Sequence, residues 1–344
     1  MKHLFYIHSH ITYHVSLEVI KHEKIAARDC IFIYGRKFWP LAAPVDIEQV
    51  NLPFTHHPTN SFALARKFWR GWRKLAAFDQ FVQSLAGEGC FKLYTNQTGI
   101  DFIRLFISHR RCAGFSFLEE GMASFYSLWQ MNTEVGPAGS STIFFKTLLL
   151  LNFRGRLSPG KWFYDSSYDH AYGVSEASFP DFQRKVLLPF PFYNDSPMPA
   201  YNRILVLDAT AEYGVTSVKA MLAALEEALQ YLAKRGSGKL WVKYHPDQAN
   251  FDGVKRQYEQ VFARYAGRLT IEEMPQYICL ELVAGNAYNT QTAFYVFLSS
   301  VGIYAAQCGR EVHSFASYIA RLDEQYAQRV QRLPAVFREK VKFL

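Results

Sequence analysis

Short apolar segments alternate with longer amphipathic segments along most of the chain. The short segments are rich in β-branched and aromatic residues, which is typical of buried strands. They predict strands at residues 4–8, 30–34, 91–94 and 114–118 in the first half, and at 203–207, 239–244, 269–271 and 294–299 in the second. Strands that alternate with helices favour an α/β fold with mainly parallel sheets.

The clearest helix signal covers residues 215–235. Its apolar residues recur at intervals of three and four, as on the buried face of a helix: Val218, Met221, Leu222, Leu225, Ala228, Leu229 and Leu232. Lys234-Arg235-Gly236 predicts where this helix ends, because basic residues and glycine favour helix C-termini.

A proline-rich segment at residues 187–201 predicts the boundary between two domains. We expect Rossmann-like domains at residues 1–190 and 191–316, followed by a helical tail at 317–344 that crosses back to the first domain. Two such domains that face each other across a cleft bind nucleotides at the carboxyl ends of their strands.

Composition excludes several classes of protein. A chain of 344 residues with 49% hydrophobic and 16% aromatic residues is too long and too apolar to be disordered. No apolar run reaches the roughly 18 residues of a membrane-spanning helix, and the N-terminus is expected to be a core strand, not a signal peptide. Five widely separated cysteines without metal-ligand spacing fit a reducing cytoplasm and no structural zinc.

Basic side chains outnumber acidic ones by 38 to 30, giving a formal charge of +8. This balance favours anionic partners such as nucleic acid, lipid headgroups or a sugar nucleotide. The basic residues form three clusters: Arg66, Lys67, Arg70, Arg73 and Lys74; Arg104, His109, Arg110 and Arg111; and Arg329, Arg332, Arg338, Lys340 and Lys342. Trp69 and Trp72 interleave with the first cluster, so an amphipathic helix on a membrane surface and a packed core helix are both open interpretations.

Several common catalytic and nucleotide-binding motifs are incomplete or absent in this sequence. Gly155 to Lys161 spells GxxxxGK, but Trp162 stands where a phosphate loop needs Ser or Thr. The chain has no GxSxG, no HExxH and no Asp-x-Asp pair. Hydrolase, metalloprotease and NAD-enzyme interpretations are therefore weakened.

Three short polar signals follow predicted strands. They are Glu119-Glu120-Gly121, His245-Pro246 and Ser299-Ser300. A carboxylate at the end of a strand is suited to general base catalysis. A histidine whose loop is fixed by proline is suited to phosphate binding, and hydroxyls at the start of a helix are suited to anion binding. Taken singly, each signal is also compatible with an ordinary first-turn acid, a loop histidine or a helix cap.

The order and spacing of these motifs resemble the bacterial CMP-sialic-acid-dependent sialyltransferases, which have the GT-B fold. The segment Ile7-His8-Ser9-His10 and the Glu-Glu-Gly variant look most similar to the polysialyltransferases of glycosyltransferase family 38. Met274-Pro275, followed by Ile278 to Leu282, resembles that family's segment between the HP and Ser/Thr motifs. Each motif is only two or three residues long, and Tyr244 before the HP pair departs from the pattern.

The resemblance implies roles for individual residues in the first half. Glu119 would be the general base that removes the proton of the acceptor hydroxyl. Glu120 and Gly121 would shape the loop around it. The first domain would accordingly lie on the acceptor side.

The second domain would bind the CMP-sugar donor. By the same resemblance, His245 would contact and stabilise the phosphate of CMP, with Pro246 fixing its loop. Ser299 and Ser300 would bind the same phosphate, and Glu281 would accept hydrogen bonds from the ribose hydroxyls.

The implied function is an inverting, metal-independent glycosyltransferase that moves sialic acid or a related nonulosonic acid from its CMP ester to a surface-glycan acceptor. Such an enzyme would serve capsule or lipopolysaccharide biosynthesis in the bacterial cytoplasm, peripherally on the inner membrane. It would need no cofactor besides the CMP-sugar, and no nucleic-acid partner. CMP-Kdo, pseudaminic or legionaminic acid as donor, a non-catalytic polyanion-binding protein, and a sugar-nucleotide epimerase or hydrolase remain alternatives.

Overall fold

The computed structural model describes residues 1–36, 38, 40, 44–53, 68–135, 162–249 and 252–344. These residues form two compact units, Met1–Pro191 (unit 1) and Phe192–Leu344 (unit 2). The boundary falls inside the proline-rich segment. The GxxxxGK sequence at 155–161 and the basic residues Arg66 and Lys67 lie outside the described residues.

Unit 1 contains a parallel sheet with the strand order β3-β2-β1-β4-β5-β6-β7. The strands are β1 (Lys2–Ile7), β2 (Cys30–Tyr34), β3 (Glu48–Asn51), β4 (Phe91–Thr95), β5 (Cys112–Leu118), β6 (Ala171–Gly173) and β7 (Lys185–Leu187). The order runs outward from β1 to β3 and resumes on the other side of β1 with β4. This reversal between β1 and β4 is the switch point of a Rossmann-type sheet.

Helices connect these strands and cover the sheet. They are α1 (His10–His22), α2 (Phe68–Ala86), α3 (Asp101–Ile107) and α4 (Leu128–Gln130), with 3₁₀ turns at Ala27–Asp29 and Met122–Phe125 and a π turn at Met131–Val135. α1 begins directly after β1 because Ser9 and Thr12 form a capping box. A buried apolar cluster that includes Leu4, Phe78 and Phe102 joins the helices to the sheet.

Unit 2 repeats this plan with the strand order β10-β9-β8-β11-β12-β13, again all parallel. The strands are β8 (Arg203–Val206), β9 (Lys239–Lys243), β10 (Thr270–Glu273), β11 (Ala293–Val296), β12 (Glu311–Ser314) and β13 (Lys342–Phe343). Its switch point lies between β8 and β11. The fold-class prediction of an α/β chain with two Rossmann-like domains is therefore confirmed.

The helices of unit 2 are α5 (Val218–Lys234), α6 (Pro246–Ala249), α7 (Asp252–Ala263), α8 (Leu280–Gly285), α9 (Val301–Gln307), α10 (Ala316–Ala320), α11 (Glu324–Gln331) and α12 (Ala335–Lys340). The predicted helix at 215–235 corresponds to α5. It begins at Val218 because the Ser217 hydroxyl accepts a hydrogen bond from the Ala220 N–H. Its predicted apolar face packs into the core of unit 2.

All eight predicted strands overlap strands of the structure. The five that the sequence pattern missed, β3, β6, β7, β12 and β13, occupy outer positions of the two sheets. They are two to four residues long, whereas most of the predicted strands have five residues or more.

The C-terminal tail continues the fold of unit 2. Residues 317–344 belong to this unit. Lys342 and Phe343 pair with His313 and Ser314 and so extend the sheet of unit 2 by one strand. Backbone pairing at the sheet edge decides this placement, and the basic sequence of the tail does not show it.

The second basic cluster is not a continuous surface. Arg104 and His109 are 3% and 8% exposed, so half of the cluster is buried in unit 1. The third cluster, which includes Arg332 and Lys340, is exposed. In the described part of the chain, no helix is both long enough and apolar enough to span a membrane.

A close backbone approach in unit 2 provides a test of its packing. Gly285 ends α8 against Phe192, and a Cβ at position 285 would overlap the Phe192 carbonyl. We expect Gly285→Ala to lower the free energy of unfolding by about 1–3 kcal/mol, because a backbone contact has to open. Urea unfolding followed by circular dichroism measures this.

Gly267→Ala is the matched control. A Cβ there meets no described atom within 4 Å, so its unfolding midpoint should stay close to that of the wild type. Equal midpoints for Gly285→Ala and Gly267→Ala would contradict the tight packing of the segment after Pro191.

Candidate functional site

Polar side chains collect at the switch point of unit 2. Asp208 follows β8, and its Oδ2 accepts the Leu298 N–H, two residues past β11, at 2.8 Å. Its Oδ1 accepts the Thr210 hydroxyl at 2.6 Å and the Thr210 N–H at 3.3 Å. The Asp208 carboxylate thus joins the ends of the two strands between which the strand order reverses, where Rossmann-type sheets bind ligands.

Gln248 connects the end of β9 to this cluster. Its Nε2 donates to the Asp208 carbonyl at 2.7 Å and to Glu212 Oε1 at 3.1 Å. Its Oε1 accepts the His245 N–H at 3.0 Å. One buried amide therefore holds the loop of His245 against the loop after β8.

His245 lies two residues after β9, and its side chain is 29% exposed. Its Nδ1 accepts the Asp247 N–H at 3.2 Å, so in the neutral ring the proton is on Nε2. Pro246 begins α6, where a missing N–H costs nothing. The imidazole can thus present an N–H donor, as the prediction of phosphate binding requires.

Ser299 and Ser300 are half-buried and directly follow Leu298 at the same switch point. The Ser299 hydroxyl accepts the Val301 N–H at 3.4 Å. Ser300 is the N-cap residue of α9, and its hydroxyl makes no capping bond within the described residues. Both serines therefore sit at the sheet edge where the sequence predicted a phosphate site.

Glu281 is more enclosed than predicted. It is 6% exposed, and the Cys279 thiol donates to its Oε2 at 3.2 Å. Burial raises the pKa of Glu281, although hydrogen bonds and the charge of Lys243 oppose the increase. Contact with ribose hydroxyls requires this side chain to become accessible, and that role stays a prediction.

Lys243, at the end of β9, fastens the segment that precedes Glu281. Its ammonium donates to the carbonyls of Pro275, Gln276 and Ile278 at 2.6, 2.9 and 3.1 Å. These three bonds satisfy all its donors, while burial lowers the pKa of Lys243 to about 8. The loop between β10 and α8 is therefore fixed to the strand that carries His245.

A second polar cluster lies at the switch point of unit 1. Glu120 Oε1 is 3.1 Å from His8 Nε2, and Glu120 Oε2 accepts the Asn96 amide at 3.2 Å. His8 follows β1, Asn96 follows β4, and Glu120 follows β5. Three adjacent strand ends thus supply one hydrogen-bonded group.

The environment of Glu120 keeps it ionised. Burial by itself would raise its pKa, but the charge and hydrogen bond of His8, the charge of Arg36 and the Asn96 hydrogen bond lower it to about 2. Its side chain is 23% exposed. Gly121 follows with φ 55° and ψ −154°, a conformation that side chains disfavour, and this lets the chain turn sharply.

Glu119 occupies a different environment. It is completely buried, and its Oε2 accepts the N–H groups of Val174 and Ser175 at 2.6 and 3.3 Å. These bonds join the end of β5 to the residues after β6. Of the two adjacent carboxylates, Glu120 is thus the more exposed one, although the sequence-based role as base fell on Glu119.

Sequence reasoning missed several members of these clusters as site residues. Asp208, Thr210 and Gln248 complete the cluster in unit 2, and His8 and Asn96 complete the one in unit 1. In the sequence, each of these residues is a polar residue shortly after a buried strand. They could have been recognised as site residues only with the strand order known, because that order decides which strand ends are neighbours. Across the described ranges, no three His, Cys, Asp or Glu side chains are grouped as a metal site.

Comparison with protein-family models found no match, and comparison with curated proteins found none either. Solved structures give matches at low similarity. Anabaena Alr3699/HepE in complex with UDP and glucose is 11% identical over 91% of this chain and 80% of that chain, with a TM-score of 0.40. An α,α-trehalose-phosphate synthase (UDP-forming) from Burkholderia vietnamiensis is 10% identical over 99% and 92%, with a TM-score of 0.43.

A third structure, WaaG, is a glycosyltransferase involved in lipopolysaccharide biosynthesis. It is 13% identical over 93% of this chain and 84% of that chain, with a TM-score of 0.42. Likeness at this level identifies neither a donor nor an activity for this chain. Any assignment has to come from the residues described above.

The low pKa of Glu120 makes a prediction about stability. A carboxyl whose pKa is lowered on folding stabilises the fold fully above its ordinary value of 4.5, and this stabilisation is lost as the pH falls towards about 2. We expect Glu120→Gln to lower the free energy of unfolding by about 1–3 kcal/mol at pH 7. The difference from wild type should shrink between pH 4.5 and pH 3.

Urea unfolding at several pH values measures this difference. Glu88→Gln, which alters an exposed carboxylate in the turn after α2, is the control and should match the wild type throughout. A difference between Glu120→Gln and wild type that does not change with pH would contradict the electrostatic account.

Proposed function

We propose that the protein is an inverting, metal-independent glycosyltransferase that moves sialic acid or a related nonulosonic acid from its CMP-activated donor to a surface-glycan acceptor. The observation that carries the proposal is the cluster at the β8–β11 switch point. There His245, with its proton on Nε2, belongs to the same strand-end group as Ser299 and Ser300. An imidazole N–H and two hydroxyls are suited to the phosphate of a CMP-sugar.

The proposed sugar transfer needs only a base for the acceptor hydroxyl and hydrogen-bond donors for the phosphate. The acceptor oxygen attacks the anomeric carbon of the sugar as the bond from that carbon to the CMP phosphate oxygen breaks, so CMP leaves and the configuration inverts. The acceptor proton passes to a carboxylate, and hydrogen-bond donors stabilise the charge that develops on the phosphate. His245 supplies such a donor in unit 2.

The base comes from the Glu119-Glu120 pair of unit 1. We assign the contact with the acceptor hydroxyl to Glu120, since it is ionised and partly exposed whereas Glu119 is enclosed by backbone N–H groups. A carboxylate of low pKa is a weak base. Glu120 therefore accepts the proton late, when the new bond has already made the hydroxyl acidic.

The charge of the chain agrees with this donor class. A CMP-nonulosonic acid carries a phosphate and a carboxylate, and the formal charge of +8 favours their approach. The same argument applies to CMP-Kdo, pseudaminic or legionaminic acid as donor. The purified enzyme offered each CMP-sugar in turn separates these donors by turnover.

The polyanion-binding alternative is weaker. Its second basic cluster is half buried, since Arg104 and His109 belong to the interior of unit 1. The exposed third cluster, including Arg332 and Lys340, still fits an acidic glycan or a membrane surface. Steep salt dependence of binding to DNA or RNA without any response to CMP would favour this alternative.

Nucleotide binding tests the donor site first. Isothermal titration in EDTA should show CMP binding more tightly than UMP, UDP or GDP. We expect His245→Ala to weaken CMP binding about tenfold, as expected for loss of one hydrogen bond to a charged group. His22→Ala, which removes a half-exposed imidazole at the end of α1, should leave the affinity unchanged. Failure of CMP to bind selectively would remove the donor assignment.

Turnover tests the acceptor side. We expect Glu120→Gln to lower kcat at least 100-fold while CMP binding stays at the wild-type level, because a positioned base contributes about that factor. Glu119→Gln should retain more activity than Glu120→Gln if the only role of Glu119 is to accept the hydrogen bonds of Val174 and Ser175. Loss of turnover in Glu119→Gln alone would return the role of base to Glu119, and wild-type turnover in both variants would contradict the proposed mechanism.

A further inference from the structure

We propose that Asp247 and Tyr213 act as a positioning pair that sets the protonation state of His245, with Tyr213 working through the carboxylate of Asp247. The proposal rests on the proposed function in one respect only: the N–H group of the ring is expected to bind a phosphate. The pair itself is a property of the protein without substrate.

Three contacts define the arrangement. The backbone N–H of Asp247 donates to His245 Nδ1 at 3.2 Å, which leaves the proton of the neutral ring on Nε2. Asp247 Oδ2 lies 3.7 Å from the same Nδ1, within the range of an ion pair if the ring takes a second proton. The Tyr213 hydroxyl donates to that same Oδ2.

Tyr213 also touches the imidazole directly. The two rings are 6.0 Å apart at 82°, an edge-to-face contact. Tyr213 comes from the loop after β8, whereas Asp247 and His245 follow β9. The pair therefore joins two strand ends, as Gln248 does through its bond to Asp208.

The two partners have opposite electrostatic effects. The Asp247 carboxylate favours the imidazolium, because a negative charge close to Nδ1 stabilises a proton there. The Tyr213 hydroxyl donates to that carboxylate, reduces its attraction for the proton, and so favours the neutral ring with its N–H on Nε2. The ring is consequently poised to donate to an incoming phosphate, and the Asp247 carboxylate can stabilise a second proton on Nδ1 when negative charge accumulates on that phosphate.

Further titratable groups near the ring are left unchanged in the test. Asp208 and Glu212 from the segment after β8 reach His245 only through Gln248, which binds the His245 N–H. Tyr258 of α7 donates to Glu212. None of these contacts involves the imidazole nitrogen that Asp247 faces.

The test is a titration of His245 by NMR on the full chain with labelled histidine, in the absence of nucleotide. Its signal is the one missing in His245→Ala. We expect Tyr213→Phe to move the titration midpoint up and Asp247→Asn to move it down, each by about 0.3–1 pH unit for one charge at this distance beside water. Asp247→Asn keeps the backbone N–H, so only the charge changes.

The double variant decides whether the two residues act as a pair. In the Asp247→Asn background, Tyr213→Phe should have no further effect, since the carboxylate through which it acts is gone. Tyr193→Phe is the matched control, because Tyr193 is an exposed tyrosine of unit 2 whose hydroxyl contacts Gln307 at the far end of α9. It should leave the midpoint unchanged.

Three results would overturn the proposal: no shift in either single variant, shifts in the same direction, or an undiminished Tyr213→Phe shift in the double variant. Nucleotide titration of the same samples keeps the two proposals apart. If the two variants shift the midpoint in opposite directions but the protein does not bind CMP, the positioning pair is supported and the donor assignment is wrong. If CMP binds selectively but neither variant moves the midpoint, the donor assignment is supported and the positioning pair is wrong.

Discussion

Parallel strand pairing is the constraint on which both polar clusters depend. In each unit all strands point the same way, so their carboxyl ends emerge at one edge of the sheet. The strand order reverses between β1 and β4 and between β8 and β11, and the chain departs in opposite directions on the two sides. In Rossmann-type sheets a crevice opens at such a point, and the residues just after the strands line it. His8, Asn96 and Glu120 meet in this way, as do Asp208, Gln248 and His245.

The buried charges at these edges remain tolerable only because their hydrogen bonds are made. Lys243 uses its three donors on three carbonyls, and Glu119 accepts two backbone N–H groups. Removing one partner of such a hydrogen bond leaves the other partner unsatisfied in a poorly hydrated environment. The resulting loss of folding free energy is larger than the net contribution of the bond itself. The loops that carry His245 and Glu120 are therefore held by polar contacts as well as by apolar packing.

The two acidic neighbours show the limit of motif reasoning. In the sequence Glu119 and Glu120 are equivalent carboxylates after a strand, and the resemblance placed the base at the first. Beyond the end of β5, Glu119 accepts N–H groups of residues after β6, whereas Glu120 contacts His8 after β1 and Asn96 after β4. The difference between their contacts follows from the neighbouring strands, which lie far away in the sequence. The burial of Arg104 is a comparable case, because its neighbours in the sequence did not reveal it.

The sequence by itself determined the class of fold, eight of the strands, the helix at Val218–Lys234 and the positions of the motifs after strands. These features depend on local hydrophobic periodicity and on turn residues, both of which act over a few neighbouring residues. Tertiary structure alone decided the outer strands, the pairing of the C-terminal tail with β12, and the partners of Glu119, Glu120 and His245. Those features depend on contacts between residues up to 149 positions apart, as between Glu23 and Tyr172, and no local pattern records them.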